Sequence, residues 1–157
     1  MKTYKISNQF PGGLFQCVTI LSLYDERPFE REFFTRISKS FPMIKELRIE
    51  NNEPQQKKTY NDKDMTVINY PHLELLDLLD AHVDYLELFL LDTEICLSNN
   101  VDLLISFEPL KLATNNFQRD ETRVNCGKLM CFIEKSVFEF PEHAKNYFAG
   151  IWWPREC

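Results

Sequence analysis

The 157-residue sequence predicts an α/β fold, namely a solenoid of stacked repeats with a parallel β-sheet on its concave side and helices on its convex side. Two observations predict this fold. Five short apolar segments recur at nearly even spacing, and the stretches between them have the periodicity of amphipathic helices. Strands that alternate with helices form parallel sheets, and repeats that cannot bury their own apolar face must stack on their neighbours. A doubly wound single domain is the alternative, because it has the same alternation.

The predicted strands are centred on five leucines. Residues 41–49 and 70–78 share the pattern aromatic-Pro-x-aliphatic-x-x-Leu-x-aliphatic, and weaker copies lie upstream and downstream. The strand centres are Leu21, Leu47, Leu76, Leu103 and Leu129, at steps of 26, 29, 27 and 26 residues. Leucine-rich repeats have a period of about 20–29 residues, so each step is compatible with that architecture.

The segments between the strands are predicted to be helices, with one exception. The predicted helices are 28–41, 80–97, 108–123 and 140–148. Asp80 is the predicted N-cap of the second helix. Residues 50–66 are rich in Asn, Gln, Lys and Asp, and this composition indicates a flexible surface insert. About five repeats therefore occupy residues 14–135, between a lead-in at 1–13 and a C-terminal helix and tail at 136–157.

Four segments carry a resemblance to a known family. Residues 41–52 (Phe-Pro-x-Ile-x-x-Leu-x-Ile-x-Asn-Asn) and 70–78 (Tyr-Pro-x-Leu-x-x-Leu-x-Leu) resemble leucine-rich repeats of the long, helix-bearing kind. With residues 10–15 (Phe-Pro-Gly-Gly-Leu-Phe) and 25–29 (Asp-Glu-Arg-Pro-Phe), they resemble the repeat region of F-box proteins. The resemblance implies that the repeats hold a substrate, while an N-terminal F-box docks on the adaptor of a cullin–RING ubiquitin ligase. This chain departs from the family because it begins almost directly in the first repeat. An F-box is therefore expected upstream in a longer product, or the chain is a partial or degenerate copy.

Alternation along the strands predicts which side chains form the concave surface. The predicted rows across the sheet are Ile20, Glu46, Leu75, Asp102 and Lys128; Ser22, Arg48, Asp77, Leu104 and Met130; and Tyr24, Glu50, Leu79, Ser106 and Phe132. Arg48 with Asp77, and Asp102 with Lys128, are then neighbours of opposite charge on adjacent strands, which helps to set the register.

The concave surface is also the predicted protein-binding site. An exposed apolar patch commonly marks an interaction surface, and Tyr and Arg are frequent interface anchors. The candidate protein-binding residues are Tyr24, Arg48, Glu50, Asp77, Leu79, Leu104, Met130 and Phe132. The alternative is that the C-terminal tail covers the apolar members of this set.

Composition and charge exclude several classes of function. The net charge of −6 and the pI near 5.1 argue against a nucleic-acid partner. No apolar run approaches the roughly 20 residues that span a bilayer, so no membrane association is expected. The 5 cysteines have no metal-type spacing, which favours a reducing compartment, so the chain is expected in the cytoplasm or nucleus.

An enzyme is the alternative from another class. His72, His82 and Asp84 form a weak candidate metal set for a small α/β metal-dependent or hydrolytic enzyme. Cys126 as a nucleophile would need a paired histidine, which its sequence neighbourhood lacks. Cys126 and Cys131 are interpreted instead as small core residues. No catalytic residue, cofactor or metal ligand is therefore predicted.

The sequence thus predicts a protein-interaction module rather than an enzyme. Its most specific interpretation is the substrate-recruiting repeat region of an F-box-like ubiquitin-ligase receptor, with an unspecified protein as the target. The cullin–RING adaptor is expected as a partner only if an F-box lies upstream. A repeat fragment without an independent role is the remaining alternative.

Overall fold

The computed structural model of the chain describes residues 3–58, 66–134 and 140–154. Its strands are β1 (Tyr4–Ile6), β2 (Ile20–Tyr24), β3 (Glu46–Asn51), β4 (Ile68–Tyr70), β5 (Leu75–Ala81), β6 (Ile95–Leu97), β7 (Val101–Ile105), β8 (Leu129–Ile133) and β9 (Gly150–Trp152). Its helices are α1 (Arg31–Ser40), α2 (Val83–Leu90), α3 (Phe107–Ala113) and α4 (Arg123–Cys126), with single 3₁₀ turns at Asp120–Thr122 and Glu142–Ala144.

Seven of the strands form one parallel sheet in the order β1-β2-β3-β5-β7-β8-β9. Every neighbouring pair in this sheet is parallel, and the strands follow one another in chain order. The remaining strands, β4 and β6, form a separate two-stranded parallel sheet. The predicted α/β class and its parallel sheet are therefore confirmed.

One face of the large sheet, called here the inner face, forms the core with the helices. Twelve of its side chains on the five longer strands are at most 2% exposed: Leu21, Leu23, Leu47, Ile49, Leu76, Leu78, Val101, Leu103, Ile105, Leu129, Cys131 and Ile133. They belong to the same buried cluster as residues of α1, α2 and α3. Burying one such aliphatic side chain contributes about 1.5–3 kcal/mol, so this face supplies most of the hydrophobic stabilisation of the sheet.

The helix α1 covers the inner face with aromatic rings. Its buried residues include Phe33, Phe34 and Ile37, which recur at helical spacing as the sequence predicts. The Phe34 ring meets Phe89 of α2 edge-on at 5.7 Å between centroids. The helix begins at Arg31, three residues after the predicted start at Pro28, because the backbone is still extended at the N-cap Glu30.

The predicted helix over 80–97 is wrong at both ends. Strand β5 continues to Ala81, and the N-cap is His82, whose Nδ1 accepts a hydrogen bond from the Asp84 backbone N–H at 3.1 Å. Asp80 is therefore a strand residue. The helix ends at Leu90 because Leu91 adopts extended dihedrals, and the last predicted turn forms β6 instead.

The predicted helix over 108–123 is broken after its second turn. The Thr114 hydroxyl donates to the Leu110 carbonyl and accepts from the Phe117 backbone N–H, so the chain folds back. Asn115, Asn116 and Phe117 all have positive φ, at 49°, 55° and 61°. The turn carries the Phe117 ring into the core, where it is 1% exposed. Packing of this ring offsets the cost of a left-handed conformation, which is unfavourable for a bulky residue.

The two chain ends contribute strands that the sequence analysis assigns to a lead-in and a tail. Strand β1 pairs with β2, with Lys5 opposite Ser22. The predicted helix over 140–148 is reduced to one 3₁₀ turn, and Gly150 begins β9. These strands have three residues each, which gives too short an alternation for a sequence pattern to show.

The predicted flexible insert at 50–66 is ordered over its first part. Glu50 and Asn51 belong to β3, and the buried Gln55 donates its backbone N–H to the Asp84 carboxylate at 2.9 Å. Lys58 Nζ reaches the same carboxylate at 2.6 Å. Residues 59–65 of the predicted insert lie outside the described residues, as do 135–139 and 155–157 of the predicted C-terminal segment.

Candidate functional site

The candidate site is the outer face of the seven-stranded sheet, opposite the helices. Its side chains alternate with the buried inner-face residues, so they remain half-buried or exposed. Of the predicted binding residues, Tyr24, Arg48 and Met130 are exposed, whereas the others are half-buried: Glu50, Asp77, Leu79, Leu104 and Phe132. All eight lie on the strands predicted for them.

Arg48 lies at the centre of a cluster of carboxylates on β3 and β5. Its guanidinium contacts Glu50 at 3.2 Å, Asp77 at 3.7 Å and Asp80 at 2.9 Å. The hydrogen bond to Asp80 raises the pKa of Arg48, burial opposes this shift, and the charges of Glu50 and Asp77 reinforce it. The predicted Arg48–Asp77 neighbours are present, since the two residues are register partners. Asp80 is the member of the cluster that the sequence analysis does not include.

Asp80 joins this cluster because the register shifts between β3 and β5. Arg48 is opposite Asp77, but Glu50 is opposite Asp80 rather than Leu79. At the irregularity, an Asp77 carboxylate oxygen accepts a hydrogen bond from the Leu79 backbone N–H at 3.1 Å. The predicted third row, with Leu79 beside Glu50, is therefore wrong. One extra residue on β5 brings a third carboxylate to the guanidinium.

The second predicted charge pair is not formed. Asp102 is opposite Met130, and the predicted alignment of Leu103 with Leu129 is wrong because Leu103 is opposite Cys131. Lys128 precedes β8, and its ammonium donates to the Leu97 carbonyl at 3.0 Å. The register between β7 and β8 differs from the predicted one by two residues. Each side chain therefore stays on its predicted face, but its neighbour on the adjacent strand changes. Ser106, predicted in the third row, is the N-cap of α3.

An acidic hollow opens at the carboxyl ends of β2, β3 and β5. It has a volume of about 370 Å³ and is lined by Tyr24, Asp25, Glu26, Glu50, Asn51, Asn52, Glu53 and Asp80. Five of these side chains are carboxylates. The loop that carries Asp25 is held by the side chains of Asn8 and Asn51, which both donate to the Arg27 carbonyl, at 3.2 and 2.7 Å. Hydrogen bonds from two other parts of the chain therefore hold the loop that lines the hollow.

Asp25 remains ionised in this hollow. Burial raises the pKa of Asp25, but hydrogen bonds from the backbone N–H groups of Arg27 and Asn8 outweigh it and leave the pKa below its usual value. Both bonds are 2.9 Å long. The hollow thus contains a stable negative charge at neutral pH.

A second hollow of about 220 Å³ lies beside Arg48 towards the amino ends of the same strands. Ile20 and Leu75 give it apolar walls, and Glu46 and Asp77 supply carboxylates. Together the two hollows make the β2–β5 half of the outer face concave and acidic.

The other half of the outer face is mainly apolar, although Asp102 of β7 lies opposite Met130. We define the apolar strip as Leu104, Met130, Phe132 and Trp152. The Phe132 and Trp152 residues are register partners on β8 and β9, with ring centroids 6.3 Å apart. Gly150 lies opposite Met130, and a side chain at this glycine would collide with the Met130 thioether. The glycine therefore lets Met130 extend across β9.

Trp152 is the strip residue that the sequence analysis misses. Trp152 is 55% exposed on the outer face, whereas its neighbour Trp153 stacks on Phe140 at 5.4 Å between centroids. The sequence analysis assigns both tryptophans to the C-terminal helix and tail at 136–157. Alternation through Gly150, Ile151 and Trp152 is the signal that identifies the strand, although three residues make it weak.

The histidines of the alternative metal set lie at opposite ends of β5. His72 precedes this seven-residue strand and His82 follows it, and a strand of that length spans roughly 20 Å. Of the two histidines, only His82 lies near Asp84, with 3.6 Å between its Nδ1 and the carboxylate. The same carboxylate forms an ion pair with the Lys58 ammonium. Within residues 3–58, 66–134 and 140–154, no three His, Cys, Asp or Glu side chains are arranged to hold a metal ion.

The remaining features of the enzyme alternative are buried or lie apart from one another. Cys126 and Cys131 are fully buried, as predicted for core residues. Burial raises the pKa of the Cys126 thiol to about 12, which disfavours the nucleophilic thiolate.

None of the helices in the described ranges is both long and apolar enough to span a lipid bilayer.

Comparison of the chain with protein-family models, with curated proteins and with solved structures finds no match in any of the three.

Proposed function

We propose that this chain is a protein-interaction module of leucine-rich-repeat architecture, and that its outer face binds the partner. The observation that carries the proposal is the contrast between the two faces of one sheet. The inner face is closed by helices, and twelve of its side chains on the five longer strands are at most 2% exposed, whereas Tyr24 is 40% and Trp152 55% exposed on the outer face. A surface with aromatic rings, an arginine and long aliphatic side chains has the composition of an interface core.

The strand arrangement supports the repeat architecture. All neighbouring strands are parallel and follow the order of the chain, so the order never reverses as it does in a doubly wound sheet. The spacing between equivalent strand positions is 26 residues from β2 to β3, 29 from β3 to β5, 27 from β5 to β7 and 28 from β7 to β8. Each step lies within the period of a leucine-rich repeat, about 20–29 residues.

The more specific proposal is the substrate-recruiting region of an F-box-like ubiquitin-ligase receptor. It is supported by the resemblance of residues 41–52 and 70–78 to the repeats of that family. In this role the outer face would hold the protein to be ubiquitinated, and an F-box in a longer product would supply the contact with the cullin–RING adaptor. The repeat region needs no catalytic group for this function.

The test compares three forms of the tagged chain in affinity capture from cells that produce it, with quantitative mass spectrometry. The site variant is Arg48→Glu with Leu104→Asp, on the outer face. The control is Lys39→Glu with Leu112→Asp, which makes similar changes at exposed positions on α1 and α3. All three forms are first shown to unfold cooperatively, with melting temperatures within a few degrees of one another.

The proposal predicts a partner that the wild type and the control retain and the site variant loses. Equal recovery of every protein by all three forms would contradict the use of the outer face. The receptor interpretation further predicts that the abundance of this partner rises when the proteasome is inhibited. A partner whose abundance stays constant would leave an interaction module but overturn the receptor role.

A further inference from the structure

The two halves of the outer face differ in chemistry, and this difference specifies the composition of the partner. The acidic hollow contains five carboxylates. Arg48 contacts two of them, Glu50 and Asp80, and Arg27 lies 3.8 Å from Asp25. Among the described residues, Glu26 and Glu53 make no ion pair. The hollow therefore has an excess of negative charge, and concave sites lined by one sign of charge concentrate ions of the opposite sign.

The chain already places its own cations against this part of the sheet. The Lys5 ammonium lies over the Tyr24 ring, 4.4 Å from the centroid, and the Arg48 guanidinium lies among three carboxylates. Both arrangements are favourable contacts for a cation, through an aromatic face in one case and through charge in the other. An incoming basic side chain would meet Glu26 and Glu53 in the same hollow, since neither makes an ion pair among the described residues.

The apolar strip adds a second anchor at a defined distance. It begins with Leu104 on β7 and continues through Phe132 on β8 to Trp152 on β9, in one row across the sheet. From the acidic hollow above β3 to Phe132 there are three strand spacings and about three residues along the strands, which corresponds to roughly 17 Å. An extended peptide covers this distance in about five residues.

We infer that the outer face binds an extended segment of a partner protein in which an arginine or lysine enters the acidic hollow and an aromatic or long aliphatic residue, about five positions away, packs on the apolar strip. This inference rests on the proposed function and adds the chemistry of the partner. A nucleic acid does not fit, because its phosphates would meet the carboxylates. A divalent metal ion does not fit either, because the described carboxylates are not arranged to coordinate one.

The test is a selection of random twelve-residue peptides displayed on phage, with the immobilised full chain as the target. Enriched sequences are expected to contain more Arg and Lys than the starting library. They should also contain an apolar residue, mainly aromatic, at a spacing of about five positions. A synthetic fluorescein-labelled copy of the most enriched peptide then serves as the probe in fluorescence-polarisation titrations.

Two variants separate the two anchors. Glu26→Gln with Glu53→Gln removes the carboxylates that have no ion pair among the described residues, and it should weaken peptide binding about tenfold. Trp152→Ala removes the largest exposed ring of the strip and should weaken binding by about tenfold or more. The control, Glu32→Gln with Glu108→Gln, removes two exposed carboxylates from α1 and α3 and should leave the affinity unchanged. Binding to the wild type should also weaken as salt increases.

The possible outcomes distinguish this inference from the proposed function. If enriched peptides are neutral or acidic, and Trp152→Ala weakens their binding while the carboxylate variant does not, the basic partner is overturned but the interaction module stands. If no peptide is enriched, or if neither face variant changes the affinity, the outer face is not the binding surface. The proposed function then fails as well.

Discussion

The inner and outer faces of the large sheet share one backbone but have different roles. On β7, Leu103 is fully buried against the helices, whereas its neighbour Leu104 is half-buried on the outer face. Because the two residues have the same side chain and adjacent backbone positions, their difference comes from what covers each face. The inner face determines whether the chain folds, and the outer face, which the helices leave uncovered, is the face proposed to bind the partner.

The largest expected effect tests this division directly. Leu103→Asp places an unpaired charge in the core, and the cost is of the same order as the whole stability of a domain, about 5–15 kcal/mol. We expect this variant to be unfolded in circular dichroism. Leu104→Asp, one residue away, should retain a cooperative thermal transition within a few degrees of the wild type. Similar behaviour of both variants would show that the two faces are not distinct.

The next effect concerns an ion pair buried behind the inner face. Arg31 Nε lies 2.5 Å from Glu94, with side chains only 9% and 6% exposed, and Arg31 also donates to the Thr66 carbonyl. Glu94→Ala leaves the guanidinium buried without its counter-charge, which should destabilise the fold by about 3–5 kcal/mol in urea unfolding.

The matched comparison is the exposed pair Lys45–Glu74, with 3.4 Å between the charged atoms. Glu74→Ala should cost at most about 1 kcal/mol. The double variant Arg31→Met with Glu94→Leu should recover most of the loss, since an apolar pair needs no desolvation of charge. An equal cost for Glu94→Ala and Glu74→Ala would contradict the structural role of the buried pair.

A smaller, pH-dependent effect comes from the acidic hollow. The pKa of Asp25 is lower in the folded chain than its ordinary value of 3.8, so the carboxylate contributes stability above pH 4. That contribution is lost as the pH falls through the folded pKa. Asp25→Asn should reduce stability by about 1 kcal/mol at pH 7. The difference from the wild type should shrink as the pH falls below the ordinary pKa of the carboxyl, as measured by urea midpoints. A difference that persists unchanged at acid pH would show that the charge contributes nothing.

An effect of similarly small size concerns Arg48 on the outer face. The guanidinium is partly exposed, so Arg48→Asp should cost only about 1 kcal/mol in stability. Exchange of charges with Asp77→Arg should recover less than half of this cost, because the new aspartate still faces Glu50 and Asp80. Urea unfolding of the two single variants and the double variant gives the coupling energy. Full recovery would show that Asp77 is the dominant partner of Arg48.

Alternation and spacing were sufficient to predict the five longer strands, because each has inward apolar residues at every second position. The same signal assigned Arg48 and Asp77 to adjacent positions on one face. It could not place Met130 opposite Asp102, because a shift of two residues leaves the hydrophobic pattern of a strand unchanged. Nor could it place Asp80 beside Arg48, because an irregularity in pairing leaves no mark on the pattern of a single strand.

The sequence by itself determined the α/β class, the parallel strands and the side chains that face the core, because burial of apolar groups imposes a periodicity that is visible along the chain. Only the tertiary structure decided the row of side chains across the sheet, the end strands β1 and β9, and the meeting of five carboxylates in one hollow. These features depend on contacts between residues that are distant in sequence, and local periodicity carries no information about such pairs.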